Sequence, residues 1–110
     1  MADSANTITV TDENFATAIA GVQGLAVVDF GASWCGPCRI IGPFVDQLAD
    51  EYAGRVAVGK LDVDENPRTA AAFNVRSLPS VLFFKDGKVV DTIVGAVPKP
   101  MLKQKFEQHA

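Results

Sequence analysis

The chain has only two cysteines, and they lie three residues apart: residues 34–38 read "WCGPC", with Gly36 and Pro37 between Cys35 and Cys38. Two thiols at this spacing can close a structural disulfide, contribute to a metal site, or exchange electrons. The structural reading is weak. Closing a loop of about four residues is worth roughly 2 kcal/mol, against about 3 for a loop of about fifteen. Positions i and i+3 of a helix hold their Cβ atoms roughly 5–6 Å apart, whereas a disulfide wants about 3.5–4.5 Å. The bond therefore forms at a helix start only if the first turn tightens, which leaves both redox states accessible. A structural zinc site needs four Cys- or His-type ligands. The chain has a single histidine besides, His109, beside its last residue. Haem attachment would need a histidine directly after the second cysteine, and Arg39 stands there.

The setting favours redox chemistry. "LAVVDF", Leu25 to Phe30, is a short apolar run of β type that reads as a buried central strand. After Ser33 the pattern changes period: Ile41, Val45, Leu48 and Tyr52 recur at helical spacing, with Ile40 and Phe44 beside them. The helix is expected from about Cys35 to Tyr52, with Pro43 inside it and a kink near Arg39. Cys35 thus falls where a strand ends and a helix begins, at the carboxyl edge where open α/β sheets tend to form sites. The unpaired N–H groups and partial positive charge of a helix start stabilise a thiolate, the reactive form of cysteine. Gly36 leaves the approach uncluttered, Pro37 gives up an N–H that had no helical partner, and Trp34 supplies an apolar wall.

The other elements must hold this corner in place. "TITV" reads as a strand. Thr11 or Asp12 can cap a helix in which Phe15 and Ile19 share a face and which Gly21 ends. "VAVGKLDV" is a third strand, and "ENPRTAAAF" a helix with Asn66 as cap and Pro67 at its first position. "SVLFF" and "VVDTIV" are strands joined through Asp86-Gly87, an antiparallel hairpin signal. An amphipathic helix with Met101, Leu102 and Phe106 ends the chain. The expected class is α/β: parallel strands made mixed by the final hairpin, five in all, flanked by about four helices.

Length and composition agree. The chain has 110 residues, the common size of one domain, and is 48% hydrophobic, enough for one core without a disulfide framework. One domain over residues 1–110 is expected, with residues 1–6 as a flexible tail. Net charge is −3 and the ten Lys/Arg are scattered, so neither nucleic acid nor an anionic membrane is a natural partner. "MADSANT" has no basic n-region and no apolar h-region, and no apolar run is long enough to span a bilayer. A cytoplasmic location, where most thiols stay reduced, is the expectation.

The segments "VVDFGASWCGPCRIIGP", "GKLDVDENP", "VRSLPSVLFFKDGKVV" and "VGA" resemble the thioredoxin family in order and spacing, from about Ile8 to Phe106. The resemblance implies the thioredoxin fold and a general protein-disulfide reductase. Cys35 is then the nucleophile and Cys38 the resolving thiol, joined as a disulfide after turnover. It implies no bound cofactor, protein-disulfide substrates, recycling by a flavin- and NADPH-dependent thioredoxin reductase, and a monomer. Two rivals stay open: an oxidant or isomerase on the same fold, and an interaction module with incidental thiols.

The resemblance also gives meaning to residues that are bland alone. Asp29 could be a strand-end carboxylate touching water; if buried, its pKa should rise. The family reading makes it the proton relay behind Cys38, through water, with Lys60 as support. Pro79 could be a proline at a strand's first residue, where no N–H is needed. The family reading makes it a cis proline facing the cysteines. With Trp34, Gly36, Pro37, Leu78, Gly95 and Ala96 it would form a flat apolar patch for extended protein segments. One position departs from the pattern: many relatives carry Trp or another sizeable residue where this chain has Gly31.

Overall fold

The computed structural model describes residues 4–110, and within them a five-stranded mixed sheet lies between two layers of helix. The strands are β1 (Thr7–Thr9), β2 (Leu25–Gly31), β3 (Ala57–Asp62), β4 (Ser80–Lys85) and β5 (Lys88–Val94). The helices are α1 (Gly36–Glu51), α2 (Pro67–Ala72) and α3 (Lys99–His109), preceded by a short π-helical turn, Ala16–Ala20. The sheet order is β1-β3-β2-β4-β5, which makes β2 the central strand.

Period-two alternation sorts the core. Leu25, Val27, Val58, Val81, Phe83 and Ile93 face α1 and α3, meeting Ile41, Val45, Leu48, Leu102 and Phe106. Ala26, Val28, Phe30, Leu61, Leu82 and Phe84 face the other way, onto Ile19, Ala70 and the rings of Phe15 and Phe73. In α3 the buried residues are Leu102 and Phe106, while Met101 is exposed.

Strand direction follows from helix length. α1 has 16 residues and spans about 24 Å, enough to carry the chain back along β2, so β3 runs parallel to it. α2 has six residues and spans about 9 Å, less than half the roughly 20 Å of a six-residue strand. It cannot return the chain to the far edge. β4 therefore enters from the edge at which β3 left and pairs antiparallel with β2. The parallel part of the sheet is limited to β1, β3 and β2, narrower than the alternating element order implies. This reversal brings Pro79 and Ser80 to the edge that carries the cysteines. At the β4–β5 turn both Asp86 and Gly87 have positive φ, as a two-residue hairpin turn requires.

Of the two expected caps of the first helical turn, Thr11 serves there and Asp12 does not. Thr11 and Asn14 bond reciprocally: Asn14 N–H donates to Thr11 Oγ1 at 3.1 Å and Thr11 N–H to Asn14 Oδ1 at 2.7 Å. Asp12 instead caps α2, accepting from Thr69 N–H at 2.8 Å and Arg68 N–H at 3.2 Å. Asn66 holds the N-cap position of α2 without a side-chain cap bond; it accepts Asp12 N–H at 2.9 Å. The two cap residues so join the start of the π-helical turn to α2. Of the expected N-terminal tail, residues 1–3 lie outside the described residues. Ser4 Oγ and Asn6 Nδ2 both donate to Asp50 Oδ1.

Candidate active site

The site forms where β2 hands over to α1. Cys35 is the N-cap residue of α1, in extended conformation, with Pro37 in the first turn. Its Sγ accepts the Cys38 N–H at 3.2 Å, a donor that a helix start would otherwise leave unpaired. Cys35 and Cys38 are joined as a disulfide, Cα atoms 5.3 Å apart. The same N–H and the helix end are placed to stabilise a thiolate on Cys35 after reduction.

A groove of about 410 Å³ runs past Cys35, lined by Trp34, Gly36, Pro37, Val63, Val75, Arg76 and Leu78. Trp34 is 66% exposed, and its indole N–H donates to Asp64 Oδ2 at 2.7 Å, which fixes the ring beside the disulfide. The Leu78–Pro79 peptide is cis. Gly95 N–H donates to Pro79 O at 2.9 Å, so the loop after β5 is tied to the cis proline. Gly95 has φ of +99°, where an L side chain is strained, and is required as glycine for that reason. Gly95→Ala is expected to cost about 1–3 kcal/mol, read as a lowered urea midpoint with an unchanged slope. Of the residues expected in the apolar patch, Pro79, Gly95 and Ala96 are not part of the groove lining. Val63, Val75 and Arg76 are additions. Val63 reaches the cysteine edge because β3 runs parallel to β2, its N–H donating to Gly31 O at 2.9 Å; Val75 and Arg76 reach it through the reversal of the chain at α2.

Behind the cysteines lies a buried charge cluster. Asp29 is 5% exposed and its Oδ1 makes no hydrogen bond to the protein. Burial pushes its pKa up to about 7; nearby Lys60 pulls it down and Asp46 pushes it up. Asp29 and Gly31 project from the same face of β2, about 7 Å apart along the strand. A Cβ on Gly31 would stand 3.3 Å from Cys38 Sγ. Cys38 Sγ therefore packs beside Gly31, on the face of β2 that carries Asp29.

Lys60 lies directly opposite Asp29 in the parallel β2–β3 register. Its Nζ, however, pairs with Asp46 Oδ2 at 2.9 Å, and Thr7 Oγ1 donates to Asp46 Oδ1 at 2.9 Å. Both partners of the ion pair are nearly buried, with side chains 15% and 11% exposed. Asp46 and Thr7 are thus further members of the cluster. The available signal was Asp46 itself, an acid four residues after Gly42 on the buried side of α1.

The comparisons agree with this geometry. A family model described as Thioredoxin matches residues 6–108. A thioredoxin of Chlorobaculum thiosulfatiphilum is 50% identical over 99 residues, 90% of this chain and 92% of the relative. A thioredoxin of Staphylococcus saprophyticus is 49% identical over 102 residues, 93% of this chain and 96% of the relative. A chloroplastic M-type thioredoxin of Pisum sativum is 47% identical over 100 residues, 91% of this chain and 58% of the relative. With a redox-active cysteine pair at the start of α1 and this match over nearly its whole length, the chain belongs to the thioredoxin family, the protein-disulfide oxidoreductases.

Proposed function

We propose that the chain reduces protein disulfides with Cys35 as nucleophile and Cys38 as resolving thiol. The observation that carries the assignment is the position of Cys35: N-cap of α1, its sulfur already accepting the Cys38 N–H, on the floor of the groove. The Cys35 thiolate attacks a substrate disulfide, forms a mixed disulfide and expels one substrate thiolate. Cys38 then gives its proton to Asp29, attacks Cys35 and releases the second substrate thiol. The Cys35–Cys38 disulfide remains. Burial supports Asp29 as base, because a carboxyl titrating near neutrality accepts a proton at working pH. Lys60 supports it by its charge.

The apolar groove with Trp34, Gly36, Pro37 and Leu78 suits an extended polypeptide, and Pro79, Gly95 and Ala96 are assigned to the same substrate surface as the chain neighbours of Leu78 and of the loop tied to Pro79. The natural donor of electrons is a thioredoxin reductase, so the chain acts as an electron carrier in the cytoplasm, as a single-domain monomer over residues 1–110 with no cofactor of its own. No helix among the described residues is long and apolar enough to cross a membrane.

The test is Cys38→Ser. This variant is expected to accumulate mixed disulfides with a disulfide-bonded test substrate such as insulin, all through Cys35. A variant that forms none, or forms them equally when Cys35 is replaced instead, would reject the assignment.

A further inference from the structure

We propose that the substrate groove continues past Arg76 into a second apolar groove along β5, and that an extended stretch of the substrate beside its reacting cysteine lies there. The proposal rests on the disulfide-exchange reading above and names the class of substrate: disulfides whose cysteine has an acidic residue and then an apolar one close by in the same extended segment. Packing creates the second groove. α2 is only about 9 Å long and, with the π-helical turn, covers β2, β3 and β4. The buried cluster on this face takes in Leu82 and Phe84 of β4 but no residue of β5. The register sets Val94 opposite Ser80, Thr92 opposite Leu82 and Val89 opposite Phe84, so these three β5 side chains stand on the α2 face of the sheet. Left uncovered there, Val94 is 57% exposed and Val89 41%. With Phe73 and Leu82 they enclose a groove of about 380 Å³.

Three features identify the occupant. The first is continuity: Val75 and Arg76 line both this groove and the one at Cys35. The second is direction. From the cysteine edge the wall runs Val94, Thr92, Val89, and the paired stretch of β4 from Ser80 to Phe84 rises about 14 Å. That length suits about four residues of extended chain. The third is charge. Asn74, with φ of +57°, accepts Arg76 Nε–H at 2.9 Å, which braces the guanidinium where the two grooves meet. Arg76 forms no ion pair among the described residues. Its outer N–H groups are left to donate to a carboxylate of the substrate. An acidic side chain meets Arg76 as the chain leaves the cysteine groove, and an apolar side chain beyond it covers Val94 and Val89. Main chain and alternate side chains of an extended segment are recognised in this way along a sheet edge.

The experiment mixes the reduced full chain with symmetric disulfides of short single-cysteine peptides. In one set a glutamate and then a leucine follow the cysteine; in a second set they precede it. Reference peptides have lysine in place of the glutamate or serine in place of the leucine. Second-order rate constants are read by chromatography of the reduced peptide. In one of the two sets the leucine peptide is expected to react roughly four- to tenfold faster than its serine reference, as half-burying that side chain gives. The glutamate peptide is expected to exceed its lysine reference by about two- to fivefold at low salt, and by less at high salt. Val89→Ser and Val94→Ser, both at exposed positions, are expected to bring the leucine-to-serine ratio towards one, and Arg76→Glu to invert the glutamate-to-lysine ratio. Ratios near one in both sets for the unaltered chain would overturn the proposal, as would ratios that the three variants leave unchanged. A chain that sediments as a dimer at the assay concentration, and as a monomer once Val89 is replaced, would overturn it by giving the groove to a second copy. If no peptide in either set is reduced, while dithiothreitol reduces them all, the exchange reading itself fails.

Discussion

Asp29→Asn is expected to stabilise the oxidised protein at pH 8 and to bring no gain at pH 4, where only the cost of the new amide remains. In the folded protein the carboxyl titrates near 7 because burial disfavours its charge; its ordinary value is 3.8. Between these values the folded state holds a proton that the unfolded state has released. Stability therefore falls as pH rises through this window, and levels off above about 7. The gap corresponds to about 4 kcal/mol at about 1.36 kcal/mol per unit. Asparagine keeps the shape and removes the charge, but leaves an amide to satisfy at a site where Oδ1 has no partner, a cost of about 1–3 kcal/mol. The net gain at pH 8 is thus expected below about 4 kcal/mol. Urea melts of both proteins from pH 4 to 8 give the answer as a difference, which cancels the contributions of surface carboxylates. A difference that does not grow between pH 4 and 7 would show that the carboxyl is ionised throughout. The same variant is expected to turn over insulin more slowly at neutral pH, by on the order of a hundredfold if base catalysis of the second step limits the rate.

That carboxylate was legible in the sequence, and its neighbour was not, for a definite reason. Asp29 stands in an apolar run that is buried on both faces, but the run alone also fitted a strand-end carboxylate touching water, and it was the family resemblance that placed it behind Cys38. Asp46 hides in α1, where Ile41, Val45 and Leu48 already satisfy the helical period without it. Its burial depends on where β1 and β3 place Thr7 and Lys60, which no local pattern encodes. Asp12 is similar: a cap residue for the adjacent turn by sequence, it caps α2 through contacts more than fifty residues away. The cysteine corner was readable because strand, helix and motif are contiguous. The wall of the groove at Val75 and Arg76 was not, since it needs the reversal imposed by a six-residue α2.

Asp46→Asn is expected to lower stability, and to do so more at pH 4 than at pH 8. The substitution leaves the Lys60 ammonium without its carboxylate in a site where both side chains are nearly buried. Removing one partner of a buried pair costs about 3–5 kcal/mol when nothing replaces it. Here a replacement stands directly opposite, because Asp29 is the register partner of Lys60 on β2. Lys60 already draws the pKa of Asp29 down and Asp46 pushes it up. Loss of the Asp46 charge removes the repulsion and frees the ammonium, so both effects favour ionised Asp29. The pH at which Asp29 titrates should therefore fall from about 7. Above that pH the new Lys60–Asp29 attraction offsets part of the loss; near pH 4 Asp29 carries less charge and offsets less. The price for catalysis is a weaker base behind Cys38, seen as slower turnover with its pH midpoint moved down. A double-mutant cycle with Asp29→Asn isolates the exchange of partners, since the double variant has no second carboxylate for Lys60 to find. Coupling that is large at pH 8 and small at pH 4 is the expected result. Additive losses at both pH values would mean that Lys60 cannot reach Asp29, and that Asp46 secures the fold without setting the charge of the relay.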